Sequence, residues 1–260
     1  MARVSLRRVL LRTALIAVGL FVVYKLSLLN KEQPFQYERK TYKDYRGGNP
    51  LRMHGIVGVH EDGTPGFKRK ECPKDYNMAE ELRSNGFFAR LSDCLPLDRN
   101  ITDSRHKSCR YVQYDLDSLP DTSVIFVFYN EYLSVLLRSI HSVLNRTPPQ
   151  LLKEIILVDD GSDKPWLGQE LEDYVHLLPK VRLVRNAQRS GLVKARLRGI
   201  QEATAQTFTI LDSHIEVEQG WCEPLMARIK GDRRRVLMPQ IDSINQEVWG
   251  HPFTHPAGSC

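Results

Sequence analysis

The 260 residues suffice for one large domain or two small ones, and an apolar share of 42% supplies a sizeable core. The formal charge is +6, but the basic residues are dispersed: Arg3, Arg7, Arg8 and Arg12 open the chain, Arg233, Arg234 and Arg235 stand near its end, and the rest alternate with acids. With no aromatic-interleaved basic stripe, no zinc-finger or RNP signature and no CxxC pair, the composition argues against nucleic acid as a partner and against a zinc site.

Thr13 to Tyr24 is an uncharged apolar run that Leu26 to Leu29 continue past Lys25. A membrane-spanning helix needs about 20 apolar residues, and this run approaches that length if Lys25 snorkels to the interface. The four preceding arginines predict a cytoplasmic N-terminus and a lumenal remainder. A cleavable signal peptide is the rival reading, but no small-x-small site follows Tyr24. The expectation is therefore a tail over 1–12, a signal anchor over 13–29 and a stem over 30–84. Asn100-Ile101-Thr102 and Asn145-Arg146-Thr147 are glycosylation tripeptides that suit a lumenal chain. The odd number of cysteines (Cys72, Cys94, Cys109, Cys222 and Cys260) leaves at least one thiol without an internal partner.

From Lys31 to about Pro120 the chain is polar and weakly periodic, with turn signals at Arg46–Pro50 and Glu61–Gly66. Asn77 to Phe88 reads as a helix with Met78, Leu82 and Phe87 on one face. From Ser123 the pattern sharpens. Val124–Phe128 is a continuous apolar run, as in a buried parallel strand. Leu133, Leu136, Leu137, Ile140, His141 and Leu144 then recur at helical spacing until Pro148-Pro149 stops them. Ile155–Val158 is a second strand, Leu167–Leu178 a helix, Val181–Val184 a third strand. Ser190 is placed as the cap of a helix running to about Ala205, and Phe208–Leu211 is a fourth strand. Strands alternating with helices predict right-handed crossovers and a mostly parallel sheet in an α/β fold.

Ligands of such sheets bind at the carboxyl ends of the strands. Three polar clusters fall there: Tyr129-Asn130-Glu131, Asp159-Asp160 and Asp212-Ser213-His214. Acids that merely cap helices explain any one cluster, but less readily all three. No Walker loop and no GxGxxG follows a strand, which argues against a P-loop NTPase and a dinucleotide dehydrogenase. Residues i and i+2 of an extended segment share a side, so Asp212 and His214 can grip one cation. A carboxylate with an imidazole suits Mn2+ better than Ca2+, and a nucleotide diphosphate can take further coordination positions.

Val127–Glu131, His141–Pro149, Glu154–Asp160, Arg189–Gly199, Leu211–His214, Gly220-Trp221 and Glu223–Leu225 resemble, in order and spacing, the polypeptide N-acetylgalactosaminyltransferases that initiate mucin-type O-glycosylation. Ser92-Asp93 and Asp103–Arg105 with Cys109 resemble that family's lead-in. The resemblance implies a GT-A nucleotide-diphospho-sugar transferase fold, a Golgi membrane protein of single-pass type II, UDP-GalNAc as donor, Mn2+ as cofactor and Ser/Thr polypeptides as acceptors. It implies Asp212 and His214 as metal ligands, Ser213 against the nucleotide sugar, Asp160 and Arg189 at the uridine and sugar-phosphate, and Val127 to Tyr129 lining the uracil pocket. This sequence departs from the family at Tyr129, where His is usual, at Ser190, where Glu is usual, at Ile215 and at Cys222. The resemblance also implies that residues 85–260 form the donor-binding half of the catalytic domain. The third metal ligand, the acceptor-binding Trp-Gly-Gly-Glu segment, the lectin domain and the disulfide partner of Cys109 are then expected outside this chain.

Overall fold

The structure, a computed structural model, describes residues 57–59, 65–67, 78–99, 101, 103, 105–239 and 241–245. The apolar run over 13–29, Arg46–Pro50, Asn100, Cys72 and Cys260 lie outside the described residues. No helix among the described residues is long and apolar enough to cross a membrane. The chain forms two units: Met1–Gln36 with Lys107–Gln113, of which residues 107–113 are described and include a short 3-10 turn at Lys107–Tyr111, and a second unit holding all other residues.

In the second unit, β1 (Val57–Val59) and β2 (Pro65–Phe67) pair antiparallel, with Val57 opposite Phe67. Two short helices follow, α1 (Met78–Asn85) and α2 (Ala89–Cys94). A single helix over 77–88 was expected. Instead α1 ends at Asn85 because Gly86 turns the chain at φ 78°, and Phe88 is buried beyond the break. This is the glycine-after-helix stop.

The main sheet is β3 (Thr122–Phe128), β4 (Leu152–Asp159), β5 (Val181–Arg185) and β6 (Thr207–Asp212), all parallel, in the order β5-β4-β3-β6. The helices between them are α3 (Leu133–Arg146), α4 (Gln169–His176) and α5 (Leu192–Glu202), and α6 (Glu223–Gly231) follows β6. β3 lies in the middle and is buried along almost its whole length, which is why it reads as an unbroken apolar run. Its side chains alternate between two clusters. Val124, Phe126 and Phe128 face α3 and α4 with Leu136, Ile140 and Tyr174; Ile125 faces α5 with Ile156, Val158 and Ala195. The fold is thus a parallel sheet with helices on both faces, as expected.

The strands extend beyond their apolar runs because their polar residues are satisfied. Ser123 donates to Glu154, and Glu154 also accepts from Arg182 and Thr204. The expected helix over 167–178 divides into a 3-10 turn at Pro165–Leu167 and α4. Helix α3 is buried all round: Ser134, Arg138, Ser139 and Ser142 are covered as fully as its apolar residues. Arg138 donates to the Ser92 carbonyl and hydroxyl and to the Pro96 carbonyl. Burial pushes its guanidinium down to about 10.

Gly199 sets the seat of α5 on the sheet. A Cβ there would meet Ile125 Cγ2 at 2.4 Å and Val158 Cγ2 at 3.2 Å. Gly199→Val is therefore expected to lower stability by about 1–3 kcal/mol through overpacking, seen as a lower urea midpoint at unchanged slope. An unchanged midpoint would show that α5 moves away from the sheet at no cost.

Candidate functional site

All four strands are parallel, so the loops that leave them share one edge of the sheet. The three polar clusters meet there. After β3 the chain turns at Asn130, whose φ of 55° is a left-handed conformation that Asn tolerates. The Asn130 N–H donates to Ser162 Oγ, and Asn130 Oδ1 accepts the Asp163 N–H, both at 2.9 Å. The loops after β3 and β4 are thereby laced together.

Asp160 is buried, and its carboxylate is held by one loop. Oδ1 accepts from Asn186 Nδ2, the Ser190 N–H and Ser190 Oγ; Oδ2 accepts the Gly191 N–H at 2.8 Å. Burial alone would raise its pKa; these donors more than offset that and hold it at about 2, against an ordinary 3.8. This corrects the placement of Ser190 as a helix cap. Helix α5 starts at Leu192 after Gly191 at φ 90°, without a side-chain cap, and the Ser190 hydroxyl turns back to Asp160. The neighbouring Gly161, at φ 77°, has no room for a Cβ: it would meet Arg189 N at 2.6 Å. Asp160 and Gly161 together fix the 186–191 loop.

That loop delivers Arg189 onto Tyr129, with the guanidinium carbon 4.0 Å from the ring centroid, a cation–π stack. Both residues remain exposed, so the pair forms an open platform. Val127 is half-buried and packs into the cluster beneath α5.

On the other side of β3, Asp212 ends β6 opposite Val127. The next residues turn rather than continue the strand, so the expected extended segment through His214 does not form. Ser213 is buried, while the side chains of Asp212 and His214 are 60% and 64% exposed. The turn is held from α3: Ser139 Oγ donates to the Ser213 carbonyl and accepts the Ile215 N–H, and Ser142 Oγ accepts the Val217 N–H. Glu131 Oε2 accepts from Ser213 Oγ at 2.7 Å and lies 3.1 Å from His214 Nδ1. Burial raises the Glu131 pKa, but these bonds and the Tyr132 N–H bring it below the ordinary value. His214 is raised, chiefly by its bond to Glu131. Asp212 Oδ1 sits 3.7 Å from Arg196 of α5. Among the described residues no cluster of three or more His, Cys, Asp or Glu could hold a metal ion. The sequence reading passed over Ser139, Ser142 and Arg196, and it placed Glu131 only within a polar cluster.

Of the remaining expected positions, Asn145 is half-buried on the last turn of α3, and Thr147 is fully buried with its hydroxyl accepting from Trp221 Nε1. Cys109 was expected to lack a partner; it is disulfide-bonded, as is Cys94. Among the described cysteines the free thiol is Cys222, fully buried against Leu151 and Met226.

Residues 123–256 match the model of the glycosyl transferase family 2. The chain belongs to this family. Within this glycosyltransferase family it is similar to human polypeptide N-acetylgalactosaminyltransferase 9, at 51% identity over 216 residues that cover 82% of this chain and 35% of that protein. It is similar to human polypeptide N-acetylgalactosaminyltransferase 10 at 46% over 218 residues, covering 84% and 35%. Its structure is similar to a crystal structure of GalNAc-T7 with UDP, GalNAc and Mn2+, with TM-score 0.65 and 34% identity over 84% of this chain and 42% of that one. The fold is of the GT-A type. The chain spans 35% of each of these two curated relatives.

Asp160 couples the 186–191 loop to pH. Its folded pKa lies below its ordinary value, so its contribution is complete above about pH 4 and is lost as pH falls toward 2. Asp160→Asn is expected to cost about 2 kcal/mol at neutral pH and to flatten the acid-unfolding profile between about pH 4 and 2. Equal profiles for the two proteins would mean that the 186–191 loop is held by other groups.

Proposed function

We propose that this chain carries the donor-binding part of a UDP-GalNAc:polypeptide N-acetylgalactosaminyltransferase, which transfers GalNAc to Ser or Thr of proteins. The observation that carries the reading is the convergence of Asp212, Ser213 and His214 with the Tyr129–Arg189 stack at one sheet edge. The names of the relatives and the UDP, GalNAc and Mn2+ in the GalNAc-T7 structure support it.

In this reading Asp212 and His214 would hold Mn2+, and two exposed side chains of these types at a fixed turn fit that donor set. The metal, when bound, neutralises charge on the departing UDP. Tyr129 offers a face for the uracil, above Val127. Arg189 and Arg196 flank the diphosphate from the loop and from α5, where a guanidinium pairs well with phosphate oxygens. Ser213, held by Glu131, lies beneath the sugar. Asp160 serves the uridine region through the loop that carries Arg189, and its Oδ2, which accepts the Gly191 N–H, keeps a second lone pair. Residues 1–12 form a cytoplasmic tail, 13–29 a signal anchor, 30–84 a stem and 85–260 the lumenal donor-binding region in the Golgi; the arginine-flanked apolar run supports this division.

The test is UDP-GalNAc binding by calorimetry with and without Mn2+, together with transfer to a Ser/Thr peptide. Wild-type binding is expected to require Mn2+, and Asp212→Ala is expected to weaken Mn2+ binding by about 100-fold or more, at least the loss seen when a mere supporting group is removed. Binding that ignores Mn2+, or an Asp212→Ala protein with wild-type affinity, overturns the metal assignment. Mn2+-dependent binding without transfer supports a chain that binds UDP-sugar and does no chemistry.

A further inference from the structure

His214 has two ring nitrogens, and a neutral imidazole can offer a lone pair to a metal from only one of them. We propose that Glu131 is a positioning residue that holds His214 as the Nδ1–H tautomer and so leaves Nε2 as the atom available to a divalent cation. The proposal rests on the reading of Asp212 and His214 as metal ligands and adds what selects the ligating atom.

Three observations carry it. First, Glu131 is held through both its carboxylate and its backbone. Oε1 accepts the Tyr132 N–H at 3.0 Å, Oε2 accepts the Ser213 hydroxyl at 2.7 Å, and the Glu131 carbonyl accepts Trp166 Nε1 at 3.1 Å. Second, Oε2 lies 3.1 Å from His214 Nδ1. An ionised carboxylate only accepts, so Nδ1 must bear the hydrogen; the other neutral tautomer would set two lone pairs against each other. Third, exposure differs sharply across the pair: the Glu131 side chain is 16% exposed and the His214 ring 64% exposed. The ring is anchored at its Nδ1 edge and is otherwise largely open to solvent. A carboxylate that orients a metal-binding imidazole through its other nitrogen is a common supporting arrangement, and its loss lowers metal affinity by about 10–100-fold.

The experiment is nitrogen-15 NMR of histidine-labelled protein without metal, at a pH high enough for a neutral ring, joined to Mn2+ titration followed by electron paramagnetic resonance. In the wild type His214 is expected to show a protonated Nδ1 and a free Nε2. Glu131→Gln places an amide NH2 against Nδ1; the tautomer is expected to switch to Nε2–H, and Mn2+ affinity to fall about 10–100-fold. Ser213→Ala removes the other donor to the same oxygen and is expected to leave the tautomer unchanged. A wild-type ring protonated on Nε2 overturns the proposal, and this result needs no variant to fold. A folded Glu131→Gln protein that keeps wild-type Mn2+ affinity also overturns it. Wild-type protein with the Nδ1–H ring but no Mn2+ binding overturns the metal reading itself, a failure that the metal-free spectrum tells apart.

Discussion

The Ser139 hydroxyl, buried on α3, bonds both the Ser213 carbonyl and the Ile215 N–H. This small group carries much of the site. Beyond Asp212 the chain leaves the sheet, and its backbone groups lose their ladder partners in a place where water does not reach. An unpaired buried group of this kind costs about 1–3 kcal/mol, enough to let the turn drift. Ser142 and Arg146 continue the same support by bonding the Val217 N–H and carbonyl. A hydroxyl-bearing side of an otherwise apolar helix thus serves as a template for the segment that presents Asp212 and His214 to solvent.

The opposite wall is built by a different device. There a carboxylate, Asp160, collects four donors from the loop after β5, and a glycine lets that loop come within contact of the backbone at 161. One wall is held by neutral hydroxyls on a rigid helix, the other by a charge gathering the N–H groups ahead of α5. Each wall also contains a carboxylate that answers to acid, Glu131 against Ser213 in the first and Asp160 in the second.

How much of this could be read from residues alone depends on range. The order of strands and helices was legible because β3 is covered on both faces and α3 contributes Leu136, Leu137 and Ile140 at regular spacing; burial writes itself into local periodicity. The ends of elements were less legible, because Glu154 and Ser123 look like loop residues until their mutual bond is seen. The Asp-x-His pair was legible from its place after an apolar strand. Glu131, Ser139 and Arg196 were not recognised in their roles, because each acts through a partner many residues away, 83 in the case of Glu131 and His214. The turn of α5 at Gly191 was misread for a related reason: Ser190 is a good local cap, but a distant carboxylate outcompetes the helix for its hydroxyl.

The strand order has a kinetic meaning. β6 does not join β5, which precedes it; it crosses to the far side of β3, so that Thr122 pairs with Thr207. A loop of that span is slow to close, and parallel pairing offers no short hairpin to nucleate it. During synthesis β3, β4 and β5 can associate as they emerge, whereas the edge that bears Asp212 and His214 must wait for the chain beyond residue 212. In chain order the wall bearing Asp160 precedes the strand that bears Asp212, and the pairing of β6 with β3 is what brings Glu131 and His214 together.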